Sequence, residues 1–153
     1  MKKLFVWVLA MTPLLSQASL PTWLKTEKPK QLGLYVEVLN ECMFDSSTLN
    51  KSIKGEFLRA SIKPVESDKL YMNVQVVCLP QRSVNGSVRG NSTYVDIRFG
   101  TRHADGSYVL YDRPMYGTLM QGGTGSDSAS YFVDEITRRA SNALTDYLMA
   151  NME

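Results

Sequence analysis

The sequence predicts an α+β domain with the element order β-α-β-β-β-α, in which two helices pack on one face of a mixed sheet. Two segments alternate in the manner of strands, an amphipathic helix lies between them, and a long amphipathic helix ends the chain. A strand, a helix and a second strand in this order normally form a parallel pair. The segment 32–150 is therefore predicted to form a single domain.

The first predicted strand is Leu32–Phe44, where Leu34, Val36 and Val38 share one face. Successive side chains of a strand point to opposite faces, so alternation of this kind indicates a strand. A second strand, Leu70–Leu79, repeats the pattern and is followed by a proline that we expect to end it. The apolar faces of both strands predict the core side of the sheet.

An amphipathic helix is predicted between these two strands. The run Asp45-Ser46-Ser47 supplies candidate N-cap residues. Apolar residues then recur at helical spacing, and they are Leu49, Ile53, Phe57 and Ala60. Because Pro64 cannot continue a helix, we expect the helix to end near Ser61 or Ile62.

The middle of the chain alternates between polar loops and strands. Gln81–Ser92 predicts an exposed loop that has room for a short strand around Val84–Val88. Thr93–Phe99 and Ser107–Tyr111 alternate as strands, and a turn containing Gly106 joins them. Met115–Met120 either extends the last strand or follows it after a bend.

The final predicted helix covers roughly Ser128–Met149, with Ser126, Asp127 or Ser128 as its N-cap. Its apolar residues form one continuous stripe. Both helices are expected on the face of the sheet that carries the two cysteines. The opposite face should be more open to solvent, and its residues include Tyr35, Glu37, Tyr71, Asn73 and Gln75.

The N-terminus predicts a signal peptide over residues 1–18. Lys2 and Lys3 precede an apolar run, Leu4–Leu15, and small residues surround Ala18, where cleavage is expected. The apolar run is shorter than the roughly 20 residues that span a bilayer, so no stable membrane anchor is expected. The protein is predicted to be periplasmic or secreted, with an irregular lead-in over residues 19–31.

The charge balance disfavours nucleic acid as a partner. Lys2 and Lys3 account for the whole surplus of +2, and 15 basic residues then face 15 acidic residues. A neutral domain with interspersed charges has no electrostatic reason to bind a polyanion. An anionic membrane surface is disfavoured on the same grounds.

The two cysteines predict one disulfide bond. Cys42 and Cys78 each lie eight residues after a leucine that begins the apolar alternation of their strand, Leu34 and Leu70. Parallel strands would bring both sulfur atoms to the same end and face of the sheet. Exported chains retain disulfides, and closing a loop of about 37 residues stabilises the fold by about 3–4 kcal/mol.

No catalytic, cofactor or metal site is predicted. His103 is the only histidine and lies in a turn-forming segment, and no G-x-S-x-G motif accompanies it. One histidine and two paired cysteines do not supply the ligands of a zinc site. The glycine-rich segment before the last helix lacks the lysine of a phosphate-binding loop.

Tyrosines are concentrated near the last predicted strand, and they predict a protein-binding surface. Tyr108, Tyr111 and Tyr116 lie within nine residues, and Met115 is among them. Aromatic residues and methionine are enriched at protein interfaces. The alternative is that these side chains seal the open sheet face or the sheet edge.

The element order with a long final helix resembles the small α/β domains of Gram-negative envelope accessory proteins. It is broadly similar to the N-terminal domain of TolB-type proteins and to pilotin-like secretion chaperones. This resemblance covers most of the mature chain, rests on topology and implies a non-enzymatic binding or assembly role with a protein partner of the envelope. The alternatives are a small secreted hydrolase or effector that uses His103, and an inhibitor of an exogenous enzyme.

Overall fold

Six strands and two α-helices make up the computed structural model, which describes residues 20–66, 69–103 and 105–152. The predicted signal peptide, residues 1–18, lies outside these ranges. The elements in chain order are β1 (Gln31–Leu39), α1 (Ser46–Arg59), β2 (Lys63–Val65), β3 (Tyr71–Arg82), β4 (Val88–Arg102), β5 (Tyr108–Met115), β6 (Thr118–Gly122) and α2 (Ser126–Asn151). A short 3-10 turn, Thr22–Leu24, precedes them.

The sheet is mixed, as predicted. Its strand order is β2-β1-β3-β4-β5, and β6 pairs with β4 beyond the end of β5. The crossover through α1 makes β1 and β3 parallel, while β3, β5 and β6 all run antiparallel to β4. The sequence did not predict β2, because three residues that include a proline carry no strand period.

Both helices cover one face of the sheet, and this is the predicted cysteine-bearing face. On β3 the side chains of Met72, Val74, Val76 and Cys78 are at most 1% exposed. They belong to one core with apolar residues of the helices, which include Leu49, Ile53, Phe57, Phe132, Ile136, Ala140, Leu144 and Tyr147. The predicted α+β domain, with two helices on one sheet face, is confirmed.

The predicted disulfide is present. Cys42 and Cys78 are bonded with a Cα–Cα distance of 5.3 Å. Cys78 lies on β3, and Cys42 follows the end of β1, which occurs earlier than predicted. The strand stops at Leu39 instead of Phe44 because Asn40 adopts a φ of 66°, in the left-handed region that interrupts a strand.

The helix ends differ from the prediction by a few residues. Asp45 caps α1 as expected, and its side chain accepts a hydrogen bond from the Ser47 N–H at 3.0 Å. The helix ends at Arg59, before the predicted Ser61 or Ile62, and Ser61 has a φ of 57°. At the start of α2 the N-cap is Gly125, without a side-chain hydrogen bond, instead of the predicted serine or aspartate.

The predicted loop Gln81–Ser92 is a β-hairpin instead. Strand β3 continues through Pro80 to Arg82, and the turn closes with the Ser83 N–H donating to the Ser87 carbonyl at 2.8 Å. Pairing with β1 ends at Val77, so Pro80 lies where β3 has β4 on one side only. A strand with one free side tolerates a residue that lacks an N–H.

The middle of the lead-in is docked on the domain. Leu24 is fully buried, and the Asn151 side chain donates to the Leu24 carbonyl at 3.0 Å. The same amide accepts from the Thr26 N–H at 2.9 Å. Neither helix in the described ranges is long and apolar enough to cross a membrane.

Candidate protein-binding face of the sheet

The face of the sheet opposite the helices, called here the open face, carries a line of apolar side chains across four strands. The register places Leu39 opposite Val77, Val77 opposite Tyr94, and Tyr94 opposite Leu119. Leu39 is 38% exposed, Tyr94 is 44% exposed and Leu119 is 66% exposed. These four residues form the apolar row, which crosses three strand spacings, or about 14 Å.

A polar line lies next to the apolar row on the open face. Glu37, Gln75 and Asp96 are opposite one another in the register, and Gln75 Nε2 donates to Glu37 Oε2 at 3.0 Å. Asp96 is only 3% exposed, and both of its oxygens accept from Arg98 Nε at 2.9 Å. This hydrogen-bonded ion pair raises the pKa of Arg98, and the positive guanidinium compensates the negative charge of the buried carboxylate.

An aromatic cluster occupies the other end of the open face. The ring of Tyr71 lies 4.9 Å from that of Tyr35 and 5.7 Å from that of Tyr108, both edge to face. Gly100 makes room for it, because a Cβ there would lie 2.6 Å from Tyr71 Cζ. Burial raises the pKa of Tyr71, and the Arg102 guanidinium lies 5.2 Å from the centre of the Tyr108 ring.

Two of the four residues predicted to bind a partner lie on the open face. Tyr108 belongs to the aromatic cluster and is more than half exposed. Met115 is opposite Arg98 in the register and is also more than half exposed. Both side chains are accessible, and Met115 also borders a pocket at the β5 edge with Asp146 and Met149 of α2.

The other two predicted residues lie against the helix-side core. The ring of Tyr111 stacks on Trp23 with centroids 3.9 Å apart. Tyr116 meets the edge of Phe99, and its hydroxyl donates to Asp146 Oδ2 at 2.6 Å. Burial, followed by the hydrogen bond to Asp146, raises the pKa of Tyr116. The structure thus divides the predicted tyrosines between the two faces of the sheet.

The apolar row was missed in the sequence because it depends on which residues are opposite one another. One signal was available: Val77 and Leu79 continue the polar face of β3, where Asn73 and Gln75 precede them. Apolar residues at positions expected to face water could have indicated a binding surface.

No protein-family model matches the chain, and no curated protein matches it significantly. The chain has weak structural similarity to several solved structures. One is a minor lipoprotein from Acinetobacter baumannii, with 12% sequence identity and a TM-score of 0.40. The match covers 77% of this chain and 90% of that chain. A PelC variant dodecamer from Paraburkholderia phytofirmans has 11% identity, a TM-score of 0.41 and coverage of 82% and 88%. Rare lipoprotein B from Shewanella oneidensis has 8% identity, a TM-score of 0.30 and coverage of 76% and 91%. At these values no functional residue transfers to this chain.

His103 lies in the turn between β4 and β5, where it is exposed. Its backbone N–H donates to the Ser107 carbonyl at 2.8 Å, which closes the turn. Hydrogen bonds from Ser107 lower the pKa of the neighbouring Asp105. Across the described ranges, no group of three or more His, Cys, Asp or Glu side chains could hold a metal ion.

Proposed function

We propose that the protein is an exported, non-enzymatic binding module of the bacterial envelope that holds a protein partner on its open face. The apolar row carries this proposal. Exposed apolar residues scattered singly are normal, but an aligned row on an uncovered sheet face is typical of an interaction surface. The tyrosine at its centre supplies a large contact area together with a hydroxyl group that tolerates water.

Two features support export. Residues 1–18 have the charged, apolar and small-residue segments of a signal peptide. The bond between Cys42 and Cys78 is typical of proteins that fold in an oxidising compartment. N-terminal sequencing of protein from the periplasm should begin at Ser19 or within two residues of it, whereas retention of Lys2 and Lys3 would contradict this part of the proposal.

The competing proposal is a secreted hydrolase or effector that uses His103. It receives less support because His103 lies in an exposed turn instead of a cleft. If His103→Ala abolished a measurable activity without changing the melting temperature, the enzymatic proposal would replace ours. An inhibitor of an exogenous enzyme would belong to the binding class, and the open face would be its contact surface.

Matched charge substitutions on the two sides of the sheet test the binding proposal. Tyr94→Asp places a carboxylate in the middle of the apolar row, and Leu58→Asp places one on the exposed side of α1, where Leu58 is 69% exposed. A partner captured from an envelope extract by the wild-type protein is identified, purified and titrated against both variants. We expect Tyr94→Asp to raise the dissociation constant at least about tenfold, as for a central interface tyrosine.

The control should bind as tightly as the wild-type protein, and both variants should keep the wild-type melting temperature. Unchanged affinity in Tyr94→Asp, or a larger loss in Leu58→Asp, would remove the open face as the binding surface.

A further inference from the structure

Strand β6 is a sheet edge with one free side. It pairs with β4 from Thr118 opposite Val95 to Gly122 opposite Asn91. Among the described residues, no strand pairs with its outer side. An edge strand presents alternate N–H and C=O groups that lack a partner, and these can accept another strand.

This edge has neither of the two residue types that most often prevent strand addition, charged residues and proline. The chain has no charged residue between Arg113 and Asp127, so β6 and its flanking residues are neutral. Natural edges are usually protected by charges or proline. Strand β5, which lies along the same side of β4, has both kinds of protection in Asp112, Arg113 and Pro114. The contrast within one side of the sheet indicates that β6 is left open for a partner strand.

The composition of β6 favours a second copy of this chain as that partner. A neutral strand can pair with itself without like-charge repulsion. The 15 basic and 15 acidic residues that follow Lys3 also leave no net charge to hold two copies apart. A partner strand chosen by charge would require a charged residue on β6, and the strand has none.

We propose that β6 pairs antiparallel with β6 of a second copy about a twofold axis at Met120. Thr118 is then opposite Gly122 of the second copy, and Leu119 is opposite Gln121 of the second copy. In this register each residue is opposite a residue from the same face of the second copy. The open faces of the two sheets therefore lie on the same side. The arrangement is a self-complementary twofold contact.

The pairing would join the two apolar rows. Leu119 ends the row at the sheet edge and is its most exposed member. In the proposed register the two Leu119 side chains lie diagonally across the seam, about 7–8 Å apart, which long side chains can span. The joining of the two apolar rows rests on the proposed function, because it enlarges the same partner-binding surface on one continuous sheet.

Sedimentation of the purified mature protein tests the dimer, and a lysine at the edge tests where it forms. We expect the wild-type protein to dimerise reversibly. Gln121→Lys should raise the dimer dissociation constant about tenfold or more, because the charge occurs twice at a twofold contact. The control is Asn142→Lys, which adds the same charge at an exposed position of α2 and should leave the dimer unchanged. Leu119→Lys provides a second edge variant in case Gln121→Lys does not fold, because Leu119 is exposed on the open face.

Introduced cysteines test the register. The native cysteines are bonded to each other, so an added thiol reports only its own contacts. A mixture of Leu119→Cys and Gln121→Cys proteins should form a mixed disulfide dimer on mild oxidation. Replacing the second protein by Leu58→Cys should prevent it. A wild-type protein that is monomeric at every concentration, or equal cross-linking of both mixtures, would overturn the proposal.

The two proposals fail separately. Tyr94 lies on β4, one strand in from the edge, so Tyr94→Asp should weaken partner binding without separating the copies. If Gln121→Lys leaves the oligomeric state unchanged while Tyr94→Asp loses the partner, the dimer is wrong and the binding face stands. If Gln121→Lys separates the copies while Tyr94→Asp binds normally, the dimer stands and the binding face is wrong.

Discussion

The two faces of strand β3 differ in the physical requirement that determines which residue types occur there. Its helix-side residues Met72, Val74 and Val76 are completely buried, whereas Asn73 and Gln75 on the open face are partly exposed. Burying an aliphatic side chain contributes about 1.5–3 kcal/mol, so the core explains the helix side without reference to function. Beyond Tyr71, which is buried in the aromatic cluster, the open face of β3 carries no such requirement, and the apolar residues there need another explanation.

The largest contrast between the two sides of the molecule is expected on α1. Phe57 is fully buried in the core, and its neighbour Leu58 is exposed to solvent. Phe57→Ala should lower the free energy of unfolding by about 3–5 kcal/mol, while Leu58→Ala should change it by less than about 0.5 kcal/mol. Urea denaturation measures both, and similar losses in the two variants would contradict the assignment of faces.

Removal of the disulfide, which lies on the helix side, should lower the free energy of unfolding by a similar amount. Cys42 and Cys78 are 36 positions apart, and opening this loop should cost about 3–4 kcal/mol because the unfolded chain gains freedom. The double variant Cys42→Ser/Cys78→Ser and the reduced wild-type protein should show the same shift of the urea midpoint. An unchanged midpoint in both would show that the bond does not contribute to stability.

A smaller effect separates the two groups of tyrosines. Tyr116→Phe leaves Asp146 without its hydroxyl donor in a half-buried site, and should lower the free energy of unfolding by about 1–3 kcal/mol. Tyr108→Phe removes a hydroxyl from an exposed ring and should change it by less than about 0.5 kcal/mol. Equal losses would mean that Tyr108 is also a structural residue and would remove it from the binding face.

Strand alternation and cysteine spacing were sufficient to predict the core face, the parallel pair and the disulfide. Each depends on local spacing and on the normal connection of a strand, a helix and a strand. The hairpin around Pro80 could not be predicted in this way, because a proline is accepted there only where β1 has already ended. That condition depends on the lengths of two strands that are distant in sequence.

The candidate site was predicted only in part. Tyr108 and Tyr111 are three residues apart on one strand, so alternation alone places them on opposite faces. Treating them as one group was therefore not consistent with the strand that contains both. The apolar row joins four strands, and its members become neighbours only through the register of the sheet.

Photo-cross-linking in living cells tests the binding face most directly. A photoreactive amino acid at position 94 lies in the apolar row, and one at position 58 lies on the exposed side of α1. The proposed function predicts that position 94 forms an adduct with a discrete envelope protein and that position 58 does not. Adducts at position 58 alone, or the same adducts at both positions, would contradict the open face as the working surface of the protein.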